Sequence, residues 1–169
     1  MKAIIPVAGA GTKLRPHTYT QPKALIPIAG KTILSFIVDQ LRDAGITEFI
    51  FIVGYLGEKI QDYVKENYPD LTTHFVFQNE RQGTGHAIEL TRNIVGTDEV
   101  FVALGDTICE YDVKEVVNSE FSMLGIKKVD DPTKYKKSSL CSSQNGPESL
   151  INQGYKVISP SWFTLPAGY

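Results

Sequence analysis

The segment VAGAGTKLRP, residues 7–16, follows the apolar run KAIIP and brings small and cationic residues to the point where a strand ends. Glycines let a backbone approach a bound group closely, and successive backbone N–H groups can cradle an anion. The pattern therefore predicts a phosphate-binding turn, to which Lys13 and, ten residues later, Lys23 add positive charge. An ordinary glycine turn beside two solvated lysines fits the same residues, so this turn alone does not decide the function.

The spacing of this turn excludes two common phosphate-binding motifs. A P-loop needs four residues between its first glycine and Gly-Lys-Ser/Thr, whereas one residue separates Gly9 from Gly11 and Leu14 follows Lys13. The dinucleotide fingerprint needs a glycine where Leu14 stands and an acidic residue about 20 positions later, at the end of a second strand. Residues 32–43 have helical spacing instead, so a dinucleotide-dependent oxidoreductase is poorly supported.

Apolar runs and helical spacing alternate along the rest of the chain. The predicted strands are 2–8, 48–55, 73–78, 99–106 and 122–129, and the predicted helices are 32–43, 57–68 and 85–95. Thr32 is expected to cap the first helix, and Pro6 suggests an interrupted ladder or an edge strand. The alternation indicates an α/β fold with a mostly parallel sheet.

Three polar, glycine-containing stretches follow predicted strands: GAGTK at 9–13, QNERQGTG at 78–85 and GD at 105–106. In open α/β sheets, ligands bind beyond the carboxyl ends of the strands. We therefore expect all three stretches to lie at the same edge of the sheet.

These stretches resemble, in order and spacing, the motifs of the sugar nucleotidyltransferases, which include glucose-1-phosphate thymidylyltransferases and uridylyltransferases. Residues 9–34 resemble G-x-G-T-R-L-x-P-x-T followed by P-K-x-L-x-P and K-P-(M/I)-(L/I). Residues 78–87 resemble the nucleotide loop Q-x-x-x-x-G-(T/L)-(A/G), including its form in uridylyltransferases acting on N-acetylglucosamine 1-phosphate, and 102–108 resemble the (L/V)-x-G-D metal strand. The resemblance covers residues 1–135 and implies a Rossmann-like three-layer sandwich of the nucleotide-diphospho-sugar transferase type.

The resemblance also implies a reaction and its residues. An enzyme of this family uses Mg²⁺ to transfer a nucleoside monophosphate from a nucleoside triphosphate, here dTTP or UTP, to a sugar 1-phosphate, with release of pyrophosphate. The implied catalytic residues are Lys13, Lys23 and Asp106, and Asp106 is the implied Mg²⁺ ligand. The implied nucleotide-binding residues are Ala8, Gly9, Ala10, Gly11, Thr12, Lys13, Gln78, Gly83 and Thr84.

Two features depart from the family pattern. Lys13 stands where these proteins usually carry arginine, which keeps the charge but loses the planar fork that grips two phosphate oxygens. Beyond Tyr135, the family's further sheet, its E-K-P sugar-phosphate segment and its later metal-binding aspartate are not recognisable. We therefore expect a partial nucleotide-binding domain at 1–135 and an atypical tail at 136–169 that packs on or extends it. The alternative function is a nucleotide-binding module or truncated copy without turnover.

Composition favours a protein whose partners are small molecules. The formal net charge of −2 over 169 residues gives no reason to expect a nucleic-acid or membrane partner. No apolar stretch approaches the ~20 residues that span a bilayer, and the amino terminus lacks a secretory signal. Cys109 and Cys141 have neither metal-like spacing nor a disulfide framework. We expect a cytoplasmic location and, from the resemblance, self-association into a homo-oligomer.

Overall fold

The computed structural model describes residues 1–80, 82–121 and 123, together with the backbone of 156–158. The strands are β1 Lys2–Pro6, β2 Pro27–Ile28, β3 Lys31–Thr32, β4 Glu48–Val53, β5 Thr72–Phe77, β6 Val100–Val102 and β7 Lys156–Ile158. The α-helices are α1 Ile33–Asp43, α2 Gly57–Asn67, α3 Thr84–Glu89, α4 Arg92–Val95 and α5 Val113–Val117. Three 3₁₀ turns, Thr12–Leu14, His17–Tyr19 and Lys23–Leu25, lie in the long connection between β1 and β2.

The main sheet has the strand order β5-β4-β1-β6-β7. The first four of these strands are parallel, and β7 pairs antiparallel with β6. A separate antiparallel hairpin, β2–β3, lies between β1 and α1 in the chain. The predicted α/β fold with a mostly parallel sheet is therefore confirmed.

Two apolar clusters cover the two faces of this sheet. One cluster joins α1, α2 and α5 to the sheet through Ala3, Ile5, Phe49, Phe51 and Phe101. The other joins α3 and α4 to the sheet through Ile4, Ile50, Ile52, Val100 and Val102. Alternate residues of β1 and β4 fall into different clusters because successive side chains of a strand point to opposite faces. Helices therefore flank the sheet on both sides, which makes three layers.

Helix α1 begins where the sequence predicts it. The Thr32 side-chain oxygen accepts a hydrogen bond from the backbone N–H of Ser35 at 3.0 Å, as an N-cap does. The buried stripe of the helix is Ile33, Leu34, Ile37, Val38 and Leu41. Full burial of such side chains contributes about 2 kcal/mol each, so packing holds this helix in place.

Three predictions from the sequence are wrong in detail. The single helix predicted at 85–95 is two short helices, because buried Thr91 turns the chain between them and its hydroxyl donates to the Ile88 carbonyl at 2.7 Å. The strand predicted at 99–106 ends at Val102, and a turn follows. Of the two alternatives for Pro6, an interrupted ladder or an edge strand, the edge strand is wrong, because Pro6 ends β1 between β4 and β6.

Part of the predicted organisation lies outside the described residues. The strand predicted at 122–129, apart from residue 123, and the tail predicted at 136–169, apart from the backbone of β7, lie outside the described residues. Among the helices that the structure describes, each is too short or too polar to cross a bilayer.

A largely buried lysine ties the sheet together at the amino end of its parallel strands. Lys2 Nζ lies 3.1 Å from Glu48 Oε1 and 3.2 Å from Asp98 Oδ2, and it donates to the Ile94 carbonyl at 2.7 Å. Burial by itself lowers the pKa of Lys2, but the hydrogen bonds and charges of Glu48 and Asp98 outweigh it, so the pKa lies above its ordinary value. One side chain thus links β1, β4 and the segment before β6.

Replacing this lysine tests the link. We expect Lys2→Met to lower the free energy of unfolding by about 1–3 kcal/mol, because it leaves two carboxylates and a carbonyl without their cationic donor. The stabilisation is present below the ordinary lysine pKa and is lost as the pH rises through the raised folded-state value. Urea denaturation at neutral pH measures the loss, with exposed Lys114→Met as the matched control. Equal stability of the two variants contradicts the account.

Candidate functional site

The three predicted polar stretches all lie at the carboxyl edge of the parallel strands. Residues 7–26 follow β1, Gln78 follows β5, and 103–107 follow β6. Because β1 and β6 are neighbours, the first and third stretches lie side by side, whereas β4 separates β5 from β1. The expectation of one shared edge is confirmed.

Asp106 is held against the end of β1 by a close backbone approach. The Gly105 N–H donates to the Pro6 carbonyl at 3.3 Å. A Cβ at position 105 would lie 2.8 Å from that carbonyl oxygen and collide with the Val7 side chain. Glycine is therefore required here, and it sets the next residue, Asp106, beside the loop that leaves β1.

Gly11 plays a similar part within that loop. Its φ of +59° is in the left-handed region, and its carbonyl accepts the Thr18 hydroxyl at 2.8 Å. A Cβ at Gly11 would lie 2.8 Å from Thr18 Cγ2 and 3.3 Å from Lys23 Cβ. Thr18 is 2% exposed, so its methyl group has little room to move. The turn predicted to bind phosphate is thus folded directly onto the segment that carries Lys23.

Lys23 and Asp106 meet at the edge of the sheet. Lys23 Nζ donates to Asp106 Oδ2 at 2.8 Å, and the Thr107 hydroxyl donates to Oδ1 at 3.1 Å. The side chains of Lys23 and Asp106 are 33% and 53% exposed, so a ligand can reach both. The structure therefore joins two predicted catalytic residues that are far apart in the chain.

The charge state of Asp106 follows from these contacts. Burial by itself would raise the pKa of the carboxyl group. The hydrogen bond and positive charge of Lys23 oppose burial and outweigh it, together with the Thr107 hydroxyl and the backbone N–H of Asp106. The pKa of Asp106 therefore lies below its ordinary value, and the side chain is an anion at neutral pH.

The remaining predicted residues of the first loop lie along its path out of the sheet. Ala8 is buried, and its carbonyl lies 3.0 Å from where a Cβ of Gly54 would be, at the end of β4. A Cβ at Gly9 would meet no heavy atom of the described residues within 4 Å, so the turn faces open space there. Thr12 and Lys13 lie on the exposed 3₁₀ turn Thr12–Leu14, and Ala10 is half-buried.

The second predicted stretch is organised around Gln78. Its backbone N–H continues the ladder by donating to the Val53 carbonyl at 2.8 Å. Its Nε2 donates to the Gly83 carbonyl at 3.3 Å and lies 3.4 Å from Nδ1 of His86. Gly83 and Thr84 are exposed at the start of α3. Gln78 and Gly83 are thus brought together, two strands away from the β1 loop.

The residues around Asp106 fit a divalent cation that is coordinated partly by the protein and partly by a substrate. No cluster of three or more His, Cys, Asp and Glu side chains that could cage a metal exists among the described residues. Asp106 instead offers one accessible, ionised carboxylate beside the Thr107 hydroxyl. Mg²⁺ is commonly held by one or two carboxylates together with substrate phosphates and water. The donor set therefore suits an ion that arrives with a phosphorylated substrate.

Thr18 and Thr107, which hold Gly11 and Asp106, are not among the residues that the motifs predict for the site. Thr18 lies within a matched motif, and this is the only feature of the sequence that singles it out. Its hydrogen bond to the Gly11 carbonyl could not be predicted, because it depends on how the intervening 3₁₀ turns fold. Thr107 simply follows Asp106, and an adjacent hydroxyl carries no signal of its own.

A groove of about 430 Å³ lies apart from these residues, between the β2–β3 hairpin, α1 and α2. Its charged groups bind one another, since Asp39 accepts from Lys31 at 2.9 Å and from Tyr68 at 3.1 Å and pairs with Arg42 at 3.4 Å. The groove contains none of the predicted site residues.

Comparison with known proteins identifies the family to which this chain belongs. The profile described as nucleotidyl transferase matches residues 2–135. The chain belongs to the nucleotidyl transferase family. The matched range agrees with the resemblance found in the motifs, which covers 1–135.

Curated relatives support the same family. Bifunctional protein GlmU from Methanococcus vannielii is 38% identical over 135 residues, which are 80% of this chain and 31% of that protein. Bifunctional protein GlmU from Methanocaldococcus jannaschii is 37% identical over 175 residues, 98% of this chain and 41% of that protein. Mannose-1-phosphate guanyltransferase from Aspergillus oryzae is 33% identical over 144 residues, 80% and 40% of the two chains. The chain thus spans about a third of the length of the first relative, and the match to the second extends into the tail.

Solved structures share the fold. A UDP-glucose pyrophosphorylase crystallised with UDP-glucose superposes with a TM-score of 0.77 over 96% of this chain and 77% of that chain. The identity is 21%, so this similarity establishes the fold alone.

Removing the Lys23 charge tests the geometry without any substrate. In Lys23→Met, burial of the Asp106 carboxyl is no longer opposed by a cation, so we expect its pKa to rise from below its ordinary value. In the native chain, the ion pair stabilises the fold above the ordinary aspartate pKa and is lost as the pH falls through the lowered value. Side-chain carboxyl NMR titration measures the shift, with exposed Lys13→Met as the control. An unchanged Asp106 titration contradicts the contact.

Proposed function

We propose that this chain is the nucleotide-binding part of a Mg²⁺-dependent sugar nucleotidyltransferase. The proposed reaction transfers a nucleoside monophosphate from dTTP or UTP to a sugar 1-phosphate, giving an NDP-sugar and pyrophosphate. The observation that carries the proposal is the 2.8 Å contact between Lys23 and Asp106. It joins the cation of one family motif to the carboxylate of another, at the edge where the glycine turn leaves β1.

The glycine turn would hold the triphosphate. The backbone from Ala8 to Lys13 leaves the sheet beside open space at Gly9, where a phosphate can approach the N–H groups closely. Lys13 lies on the exposed turn that follows, and it would neutralise the β- and γ-phosphates, which form the leaving group. This assignment is supported by the placement of the loop and by the family motif.

Lys23 would act between the two reacting phosphates. Its Nζ lies 2.8 Å from Asp106 Oδ2, so the two charges offset each other, and both groups are solvent-accessible. A negatively charged α-phosphate offers Lys23 a new partner and leaves the Asp106 carboxylate available to a cation. Catalysis of this reaction needs positioning and charge neutralisation on phosphoryl oxygens, and no covalent intermediate with the protein.

Asp106, with the Thr107 hydroxyl beside it, would hold the metal ion. A bound Mg²⁺ supplies charge neutralisation to the reacting phosphates. The Asp106 carboxylate suits this role because it is ionised and half-exposed. Its position on the Gly105 turn fixes it next to the loop that would hold those phosphates.

Gln78, Gly83 and Thr84 would bind the base. The Gln78 side chain can donate and accept hydrogen bonds at once, and it lies beside the exposed backbone of Gly83. The resemblance of this loop favours a thymine or uracil base, although one curated relative bears the name of a guanyltransferase. A panel of nucleoside triphosphates therefore belongs in the test.

Small phosphorylated metabolites are the partners that this proposal needs. We propose a cytoplasmic location, where nucleoside triphosphates and sugar phosphates are available, with no membrane or nucleic-acid partner. Self-association into a homo-oligomer is proposed from the family resemblance alone.

A nucleotide-binding module without turnover is the second candidate. It is favoured by the profile match, which ends at residue 135 and leaves residues 136–169 outside the family pattern. In that case the site binds a nucleoside triphosphate but does not form an NDP-sugar.

One assay separates the two functions. The chain is incubated with Mg²⁺, each nucleoside triphosphate and a panel of sugar 1-phosphates, while pyrophosphate release and nucleotide binding are both measured. Release above the uncatalysed rate supports the enzyme, whereas saturable binding without release supports the binding module. Absence of both contradicts the proposed site.

The Asp106→Asn variant tests the metal assignment within this assay. We expect pyrophosphate release, or Mg²⁺-dependent nucleotide binding if turnover is absent, to fall at least ~100-fold because a neutral amide is a poor Mg²⁺ ligand. Asp62→Asn, on the exposed side of α2, is the matched control and should behave like the native chain. Full activity and binding in Asp106→Asn would remove Asp106 from the site.

A further inference from the structure

Two side chains of the β4–α2 region hold the loop that lies between the two proposed phosphate-binding lysines. The Tyr55 hydroxyl donates to the Tyr19 carbonyl at 2.9 Å. The Lys59 ammonium donates to the next carbonyl, that of Thr20, at 2.7 Å. Both bonds end on backbone oxygens, so they fix the path of the chain rather than any particular side chain of the loop.

The turn that presents these donors is under local constraint. Leu56 has φ +57°, a left-handed conformation that costs an ordinary residue about 1–2 kcal/mol. The turn is closed by the Gly57 N–H, which donates to the Gly54 carbonyl at 2.9 Å, and a Cβ at Gly57 would lie 2.9 Å from Val53 Cβ. Strain of this kind persists only where the surroundings impose it, and it is concentrated at functional sites.

The same turn contacts the phosphate-binding loop at its beginning. Gly54 packs against Ala8, so close that a Cβ at Gly54 would lie 3.0 Å from the Ala8 carbonyl oxygen. The loop is therefore held by the β4–α2 turn at its first residues and again at Tyr19 and Thr20. Between these points, Thr18 is bonded to the Gly11 carbonyl. Lys23 lies three residues after Thr20, whose carbonyl Lys59 binds, and its ammonium group donates to Asp106.

The two loop carbonyls do not need these two side chains to satisfy their hydrogen-bonding capacity. Both bonds are solvent-exposed, and Tyr19 and Thr20 are exposed residues, so water could satisfy both loop carbonyls if the side chains were absent. Exposed hydrogen bonds add little to global stability for the same reason. What the bonds do supply is a fixed loop position before the ligand arrives, which lowers the entropic cost of binding.

We propose that Tyr55 and Lys59 are positioning residues that hold the Gly11–Lys23 segment in its phosphate-binding geometry. They act through the loop backbone and need not touch the nucleotide. This inference rests on the proposed function, since it assigns these residues to the triphosphate side of that site. It predicts a loss of triphosphate affinity that is separate from any loss of fold stability.

Hydrogen exchange of the ligand-free chain gives the first test. In Tyr55→Phe/Lys59→Met, we expect amide exchange across 11–23 to accelerate at least about tenfold, while the melting temperature stays within a few degrees of the native value. Tyr63→Phe/Lys65→Met removes a tyrosine hydroxyl and a lysine ammonium group from α2, outside the contacts to the loop, and is the control. Unchanged exchange in 11–23, or equal acceleration in the control, overturns the proposal.

Nucleotide binding gives the second test. The same variant should bind the preferred nucleoside triphosphate about tenfold more weakly, with the loss partly restored in Tyr55→Phe/Lys59→Arg, which regains a cationic donor. If the variant melts well below the native chain, the single Tyr55→Phe change, which removes one hydroxyl group, takes its place in both tests. Native affinity together with faster exchange overturns the positioning role. No binding by the native chain instead refutes the proposed function, and the exchange result still decides whether the loop is held.

Discussion

The ion pair between Lys23 and Asp106 is the contact on which the site depends. It joins the loop after β1 to the turn after β6, two segments separated by most of the described chain. The contact is available because β1 and β6 are neighbours and because Gly105 has no side chain to hold the two loops apart. The order of the strands and the absence of a Cβ at position 105 thus bring two distant motifs together as a pair of opposite charges.

The rest of the structure supports that pair from two directions. From within the loop, Thr18 fastens the Gly11 turn, and from outside, Tyr55 and Lys59 hold the backbone at Tyr19 and Thr20. At the opposite edge of the sheet, Lys2 links β1 to its neighbours through Glu48 and Asp98. The polar groups of the candidate site and those that stabilise the sheet therefore lie at opposite ends of the same strands.

The strands and helices were predicted correctly from the sequence where one physical signal dominates. The apolar run EFIFIV predicted a strand within 48–55, and Thr32 predicted the start of α1, because both signals lie in adjacent residues. The break at Thr91 and the short helix capped by Asp112 were missed, since local hydrogen bonds there override or shorten the apolar pattern. The positions of Tyr55 and Lys59 could not be predicted, because their partners are backbone carbonyls whose location exists only after the loop has folded.

Paramagnetic NMR tests most directly whether these loops form one triphosphate–metal pocket. Mn²⁺ is added in place of Mg²⁺ to the chain bound to a non-hydrolysable nucleoside triphosphate, and the broadening of each backbone amide is mapped. The account predicts the strongest broadening at Gly105–Thr107, extending to the glycine turn and Lys23, and little at the amino edge near Glu48. Broadening centred on that amino edge, or absent around Asp106 while nucleotide is bound, would contradict it.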